Sequence, residues 1–188
     1  MRLPCLALLS VACAAAPRSE VLIERTHLPE AHASSFAFGL PGGVNFCYDP
    51  VRGGVNYAWA GGFLDLANVR PINKLTKAAA LLGPIVFREK GESPLRRGDP
   101  ARVPVVEFKG YTLRDASVEL RYTIDGVLVR EEISALPEQA GLRRRFTFDA
   151  AGGDSQWWRV LPARVPEPLA RDAAGAFVIE HKFRSATP

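Results

Sequence analysis

A chain of 188 residues, 47% hydrophobic and 23% charged, is long enough to bury a core without metal or disulfide staples. Its 16 glycines and 15 prolines suit turn-rich β structure better than a helical bundle. The formal net charge of +4 is modest, and the clusters Arg96-Arg97 and Arg143-Arg144-Arg145 have no interleaved aromatics, which argues against a nucleic-acid platform and for solvated edges and loops.

The opening MRLPCLALLSVACAAA has one arginine, an apolar run from Leu3 to Ala12 and then small residues, which is the layout of an export signal over residues 1–16. It is too short to serve as a stable membrane anchor. Leu9-Ser10-Val11-Ala12-Cys13 is also a loose lipoprotein box, so a leader ending at Cys13 with an acylated thiol is the second reading. Both place the protein in the periplasm or outside the cell, with residues 17–188 as a single domain and no transmembrane span in the mature chain. With Cys5 and Cys13 in the leader, Cys47 is the one cysteine of the body; no internal disulfide can form there, and Cys47 reads as a small buried strand residue.

Val21 to Glu24 and Ser35 to Leu40 have strand rhythm, the second ending at Pro41-Gly42-Gly43. The phrase GGVNFCYDPVRGGVNYAW repeats Gly-Gly-Val-Asn-aromatic-small-aromatic around Asp49-Pro50-Val51-Arg52-Gly53-Gly54, where proline and glycine favour a turn. Pairing Asp49 with Gly54 predicts Tyr48 opposite Val55, Phe46 opposite Tyr57 and Val44 opposite Trp59, all six facing inward; a slip of one residue would split the aromatics between faces. Further on, Asn73 is a candidate cap for a short helix over LTKAAALL that stops at Gly83-Pro84, followed by a strand at PIVFRE.

From Val103 the pattern is an antiparallel meander. The Asp125-Gly126 turn pairs Ile124 with Val127, Tyr122 with Val129 and Val118 with Ile133, and leaves Glu119, Arg121, Arg130 and Glu132 on a solvated face. QWWRVLP, a connection through Pro162, Pro166 and Pro168, and a last strand AFVIEHKF complete the chain. About nine strands and one short helix predict an antiparallel β-sandwich.

Catalytic signals are sparse. His27 and His32 are five residues apart with Pro29 between them, which is not the spacing of a helical zinc site; His181 alternates with apolar residues in the last strand. No G-x-S-x-G elbow and no phosphate loop is present. Asp49, Asp65, Asp149 and Asp154 are carboxylates from which a glycosidase pair would be drawn. The binding candidates are aromatic: Tyr57, Trp59, Trp157 and Trp158 as stacking surfaces, with Asp65, Asn45 and Asn56 as hydrogen-bonding groups, although such aromatics also serve as core. In the Trp157-Trp158 pair neighbouring residues face opposite ways, so one of them is a candidate for solvent. No residue stands out as catalytic or metal-ligating.

GLPGGVNFCYDPVRGGVNYAWAGGFLDL, LLGPIVFRE, LRRGDPARVPVVEFKGYTL, VELRYTIDGVLVREEI and GLRRRFTF form an ordered series from about Ser35 to Phe148. This series resembles the β-rich region of planctomycete and verrucomicrobial secreted proteins that carry c-type cytochrome and sugar-dehydrogenase-like domains. Gly39, Pro41, Gly42, Tyr57, Trp59, Gly62, Phe63, Leu64, Asp65, Gly83, Gly110 and Tyr111 resemble structural markers of that region. The haem-attachment motif C-x-x-C-H does not occur here, so haem binding does not carry over from the resemblance, and no cofactor is expected. At the level of fold, the galactose-mutarotase-like supersandwich is similar.

The expected function is an exported, non-catalytic β-sandwich module that binds carbohydrate or another exported protein. An accessory subunit of a c-type cytochrome or dehydrogenase system, with an exported redox partner, is the alternative. A mutarotase-like or glycoside-processing enzyme is the third reading.

Overall fold

The computed structural model describes residues 18–67, 69, 77–89, 91–137, 140–149, 152, 155–161 and 164–183. One five-stranded antiparallel sheet runs in the order β1 (Leu22–Glu24), β2 (Phe36–Gly39), β3 (Val44–Asp49), β4 (Gly54–Ala60) and β7 (Ile85–Arg88), and a two-stranded ribbon joins β5 (Leu64–Asp65) to β6 (Ala80–Leu81). The other five-stranded sheet is ordered β15 (Phe177–Lys182), β12 (Gly141–Phe148), β11 (Val127–Ala135), β10 (Ser117–Ile124) and β9 (Val106–Leu113). A three-stranded sheet places β13 (Trp157–Arg159) between β14 (Glu167–Pro168) and β8 (Leu95–Arg97). The two large sheets share one apolar interior, in which Phe38, Phe46, Tyr48 and Val55 meet Val118, Leu120, Tyr122, Val129 and Phe146. This is the β-sandwich that the strand pattern predicts.

The second sheet follows the sequence reading closely. Asp125 and Gly126 take φ of 49° and 81°, as a two-residue hairpin loop with matching twist requires. Ile124 pairs with Val127, Tyr122 with Val129 and Val118 with Ile133, while Arg121 lies opposite Arg130 and Glu119 opposite Glu132. Glu119 is held by Arg114 at 2.6 Å, from the turn between β9 and β10. At the free edge of this sheet, β9 carries an irregularity: Gly110, at φ 133°, pairs with Arg121, and Phe108 with Tyr122, so that Lys109 bulges out.

The first hairpin departs from the expected register. Asp49 pairs with Gly54 and Tyr48 with Val55, and Gly53, at φ 66°, accepts the turn while Asp49 Oδ1 receives the Val51 amide at 2.9 Å. Beyond Tyr48 the register shifts, so that Cys47 lies opposite Tyr57, Phe46 opposite Ala58, Asn45 opposite Trp59 and Val44 opposite Ala60. The extra residue is Asn56, whose Nδ2 donates to the Glu30 carbonyl at 3.1 Å. The bulge turns Tyr57 and Trp59 away from Phe46 and Tyr48 and onto the opposite face of the sheet.

A second core forms on that outer face, from Leu28, Ala37, Cys47, Tyr57, Trp59 and Ala79, with Phe63, Leu64, Leu81 and Ile85 packed against it. The segment expected as a helix over LTKAAALL contributes here as strand: Ala80–Leu81 is β6, while Asn73, Leu75 and Thr76 lie outside the described residues. Gly83 serves close approach and does not cap a helix, since a Cβ there would come within 1.8 Å of the Ala60 carbonyl oxygen. Among the described residues no helix is long and apolar enough to cross a membrane.

Trp59 is fully buried with its Nε1 donating to Gly62 O at 3.0 Å and Phe63 O at 2.9 Å. Trp59→Ala is expected to cost about 3–5 kcal/mol, the range for loss of a large buried aromatic, read as a lower urea midpoint with an unchanged slope.

Candidate functional site

The aromatic residues singled out from the sequence are mostly interior. Tyr57, Trp59 and Trp157 are 1%, 0% and 1% exposed. Their polar atoms are committed to backbone: Tyr57 Oη donates to Pro29 O at 2.8 Å, and Trp157 Nε1 to Gly152 O at 3.0 Å. None of the three offers a ring face to a ligand, and their burial follows from the bulge after Tyr48 and from stacking of Trp157 on Phe148 at 4.0 Å. Trp158 is half-buried, with Nε1 donating to Gly98 O at 2.6 Å. Asp65 is exposed and its Oδ1 accepts the Ala67 amide at 2.8 Å, and it stands apart from the tryptophan pair in the β5–β6 ribbon.

The other polar candidates serve the fold. Asn45 is fully buried; its Oδ1 accepts from Arg18 at 2.9 Å and its Nδ2 faces the carbonyls of Gly61 and Gly62 at 3.3 and 3.2 Å. Asp49 and Asp149 accept backbone amides within their own turns, and Asp154 lies outside the described residues. His27 and His32 are exposed, with His32 Nδ1 accepting the Ser34 amide at 3.2 Å. Burial drives the Cys47 thiol up to about 12, so it is protonated and shielded at neutral pH.

Charge is instead concentrated inside the sandwich. Arg144 of β12, between Leu142 and Phe146 on the inward face, is fully buried and donates through Nε to Glu131 Oε1 of β11 at 2.5 Å and through Nη1 to Glu89 Oε2 at 2.7 Å. Tyr122 Oη donates to the second Glu131 oxygen at 2.9 Å. Burial works against the Arg144 charge, but the two carboxylates outweigh it and hold the guanidinium protonated; burial pushes Glu131 up while Arg144 pulls it back. Glu89 follows the last residue of β7, where its amide donates to Asn56 O at 3.0 Å and Arg52 donates to its carbonyl. The ion triad therefore ties the first sheet to the second.

Above Glu89 the edges of the two sheets, β7 and β15, border a cleft of about 580 Å3 lined by Phe87, Glu89, Arg159, Leu161, Glu180 and His181. Arg88, Arg164 and Lys182 also line it, giving among the described residues four cationic side chains against two carboxylates. Glu89 is taken by Arg144, Arg88 by Glu30 at 2.8 Å, and Glu180 lies 3.7 Å from Arg143. Arg159, Arg164 and Lys182 are the cleft cations that no carboxylate of the described residues approaches within ion-pair distance. The His181 ring packs on Phe87 at 4.4 Å, and burial, reinforced by Arg144 and Arg159, drops its basicity to about 3, so it is neutral at physiological pH. A second hollow, of about 500 Å3 between Pro41–Val44 and Ala135–Pro137, is lined by small and apolar residues, with no charged side chain among the described residues.

None of the cleft's charged residues was singled out from the sequence as a ligand-binding candidate. The signal for Arg144 and Glu131 was present, because a period of two places Arg144 in line with Leu142 and Phe146, and Glu131 in line with Val129 and Ile133. Nothing local marks Glu89 or Arg159, whose placement depends on how the two sheets meet.

Arg144→Met is expected to destabilise the fold by about 3–5 kcal/mol, since it strands two buried carboxylates, and Glu131→Leu added to it should restore part of that loss in a double-mutant cycle. His181 has a folded value below its unfolded one, so the folded state binds fewer protons and stability falls as pH drops from about 6.5 towards about 3. In urea denaturation at several pH values, His181→Phe should show a shallower decline across that window. No family model, curated protein or solved structure matches this chain, so the chemistry of the cleft is what speaks to its function.

Proposed function

We propose that this chain is a non-catalytic binding module of the exported compartment, and that the cleft between β7 and β15 holds its ligand, a molecule of saccharide size. The observation that carries the reading is the combination of three cations that no carboxylate of the described residues reaches, Arg159, Arg164 and Lys182, with an aromatic wall at Phe87 in a concavity of about 580 Å3. Small-molecule sites occupy roughly 300–1,000 Å3, whereas protein partners prefer broad, flat surfaces. Export is supported by the leader pattern of residues 1–16 and by the resemblance to secreted proteins.

Stacking on the buried tryptophans plays no part in this version. Sugar recognition here rests on the cleft, with Trp158 as the one half-exposed indole that a competing version would use. A catalytic reading of the mutarotase-like or glycoside-processing kind has one observation in its favour: His181, Glu89 and Glu180 line the same cleft. Glu89 is already bound to Arg144, which weakens it as a proton shuttle.

A glycan array followed by calorimetric titration of the best ligand separates these readings. Arg159→Ala should weaken binding about tenfold or more, the scale of one charged hydrogen bond, while Trp158→Ala leaves it unchanged. Binding that survives Arg159→Ala and is lost with Trp158→Ala would move the site to the tryptophan, and turnover of the bound sugar that stops in Glu180→Gln would favour the enzyme.

A further inference from the structure

The floor of the cleft is short of hydrogen-bond acceptors. Arg159 Nε and His181 Nε2 are buried there without a partner, the imidazole nitrogen donating or accepting according to its tautomer; Arg144, which holds Glu89 from outside the lining, leaves its Nη2 unmet as well. Arginine nitrogens only donate, and a buried donor left unmet costs about 1–3 kcal/mol. The opposing supply is Glu89 Oε1, also unmatched. At the rim, Arg164 and Lys182 are exposed. Three cations that no carboxylate of the described residues reaches, beside the unmet Arg159 donor, make a site whose deficit is negative charge and lone pairs together.

Resting on the cleft as the binding site, we infer that its ligand is anionic, a saccharide or other small molecule bearing a carboxylate, sulfate or phosphate, with the charged group held by Arg159, Arg164 and Lys182. A planar carboxylate or tetrahedral oxyanion accepts several hydrogen bonds at once and suits the forked guanidinium of Arg159 better than a neutral hydroxyl does. Phe87 and Leu161 supply the apolar wall for the remainder of the molecule. Low dielectric at this half-buried arginine strengthens the attraction, and burial already depresses the basicity of Arg159, a cost that a bound anion offsets.

The test uses the full chain in amide NMR titrations against tri-galacturonate, neutral maltotriose, inorganic sulfate and inorganic phosphate. Tri-galacturonate should shift resonances of Phe87, Glu89, Arg159 and His181, bind at least about tenfold more tightly than maltotriose, and weaken as salt rises from about 50 to about 500 mM. Arg159→Gln and the exposed Lys182→Gln should each erase most of that preference. Displacement of tri-galacturonate by sulfate or phosphate would assign the site to oxyanions in general, and failure of both to displace it would assign it to carboxylates. Equal binding of maltotriose and tri-galacturonate in the cleft overturns the anionic ligand and leaves the cleft as the site. Absence of cleft shifts with all four probes overturns both.

Discussion

The pairing of Arg144 with Glu131 and Glu89 is the interaction on which the rest of the architecture depends. Two of its members belong to neighbouring strands of one sheet, and the third directly follows the edge strand of the other. Apolar contacts between sheets tolerate sliding, because dispersion and burial have little directionality. A guanidinium held by two carboxylates at 2.5 and 2.7 Å does not, and it fixes where the edge of the first sheet stands against the second. The cleft between β7 and β15 inherits its shape from that constraint.

The same triad sets the electrostatics of the cleft. Pairing Glu89 with Arg144 offsets one of the wall's carboxylates, and the positive charge of Arg144 bears on His181. A core interaction thus leaves the rim with cations that the described carboxylates do not reach. Structure and recognition are joined through one buried side chain, and a variant of Arg144 would be expected to disturb both.

Legibility in the sequence divides along physical lines. The meander from β9 to β12 could be read almost residue for residue because one of its faces is solvated, so polarity alternates with a period of two, and because Asp125-Gly126 admits one turn geometry. The middle of the first sheet is covered on both faces: its inner strands β2, β3 and β4 are buried nearly throughout, and alternation disappears. Without alternation nothing local reveals the extra residue at Asn56, and the expected register failed there while the turn itself held. Tyr57 and Trp59 are buried, but on the outer face of the first sheet, in a second core beneath the β5–β6 ribbon and not in the sandwich interior where the reading put them. The cleft was hidden for a different reason: its described lining comes from three separate parts of the chain, residues 87–89, then Arg159, Leu161 and Arg164, then residues 180–182, and only tertiary packing brings them together.

The bulge at Lys109 has a consequence for how copies of this chain coexist. β9 is the free edge of its sheet, and Val105, Tyr111 and Leu113 leave apolar area exposed near it. A flat strand of that composition would be a template for pairing with a neighbour and for growth into aggregates. Gly110 at φ 133° interrupts the ladder, and Lys109, paired with Glu107 at 2.8 Å, sets a charge at the break. An incoming strand could match its hydrogen bonds on only one side of that kink, so the edge resists self-assembly even where the protein is concentrated.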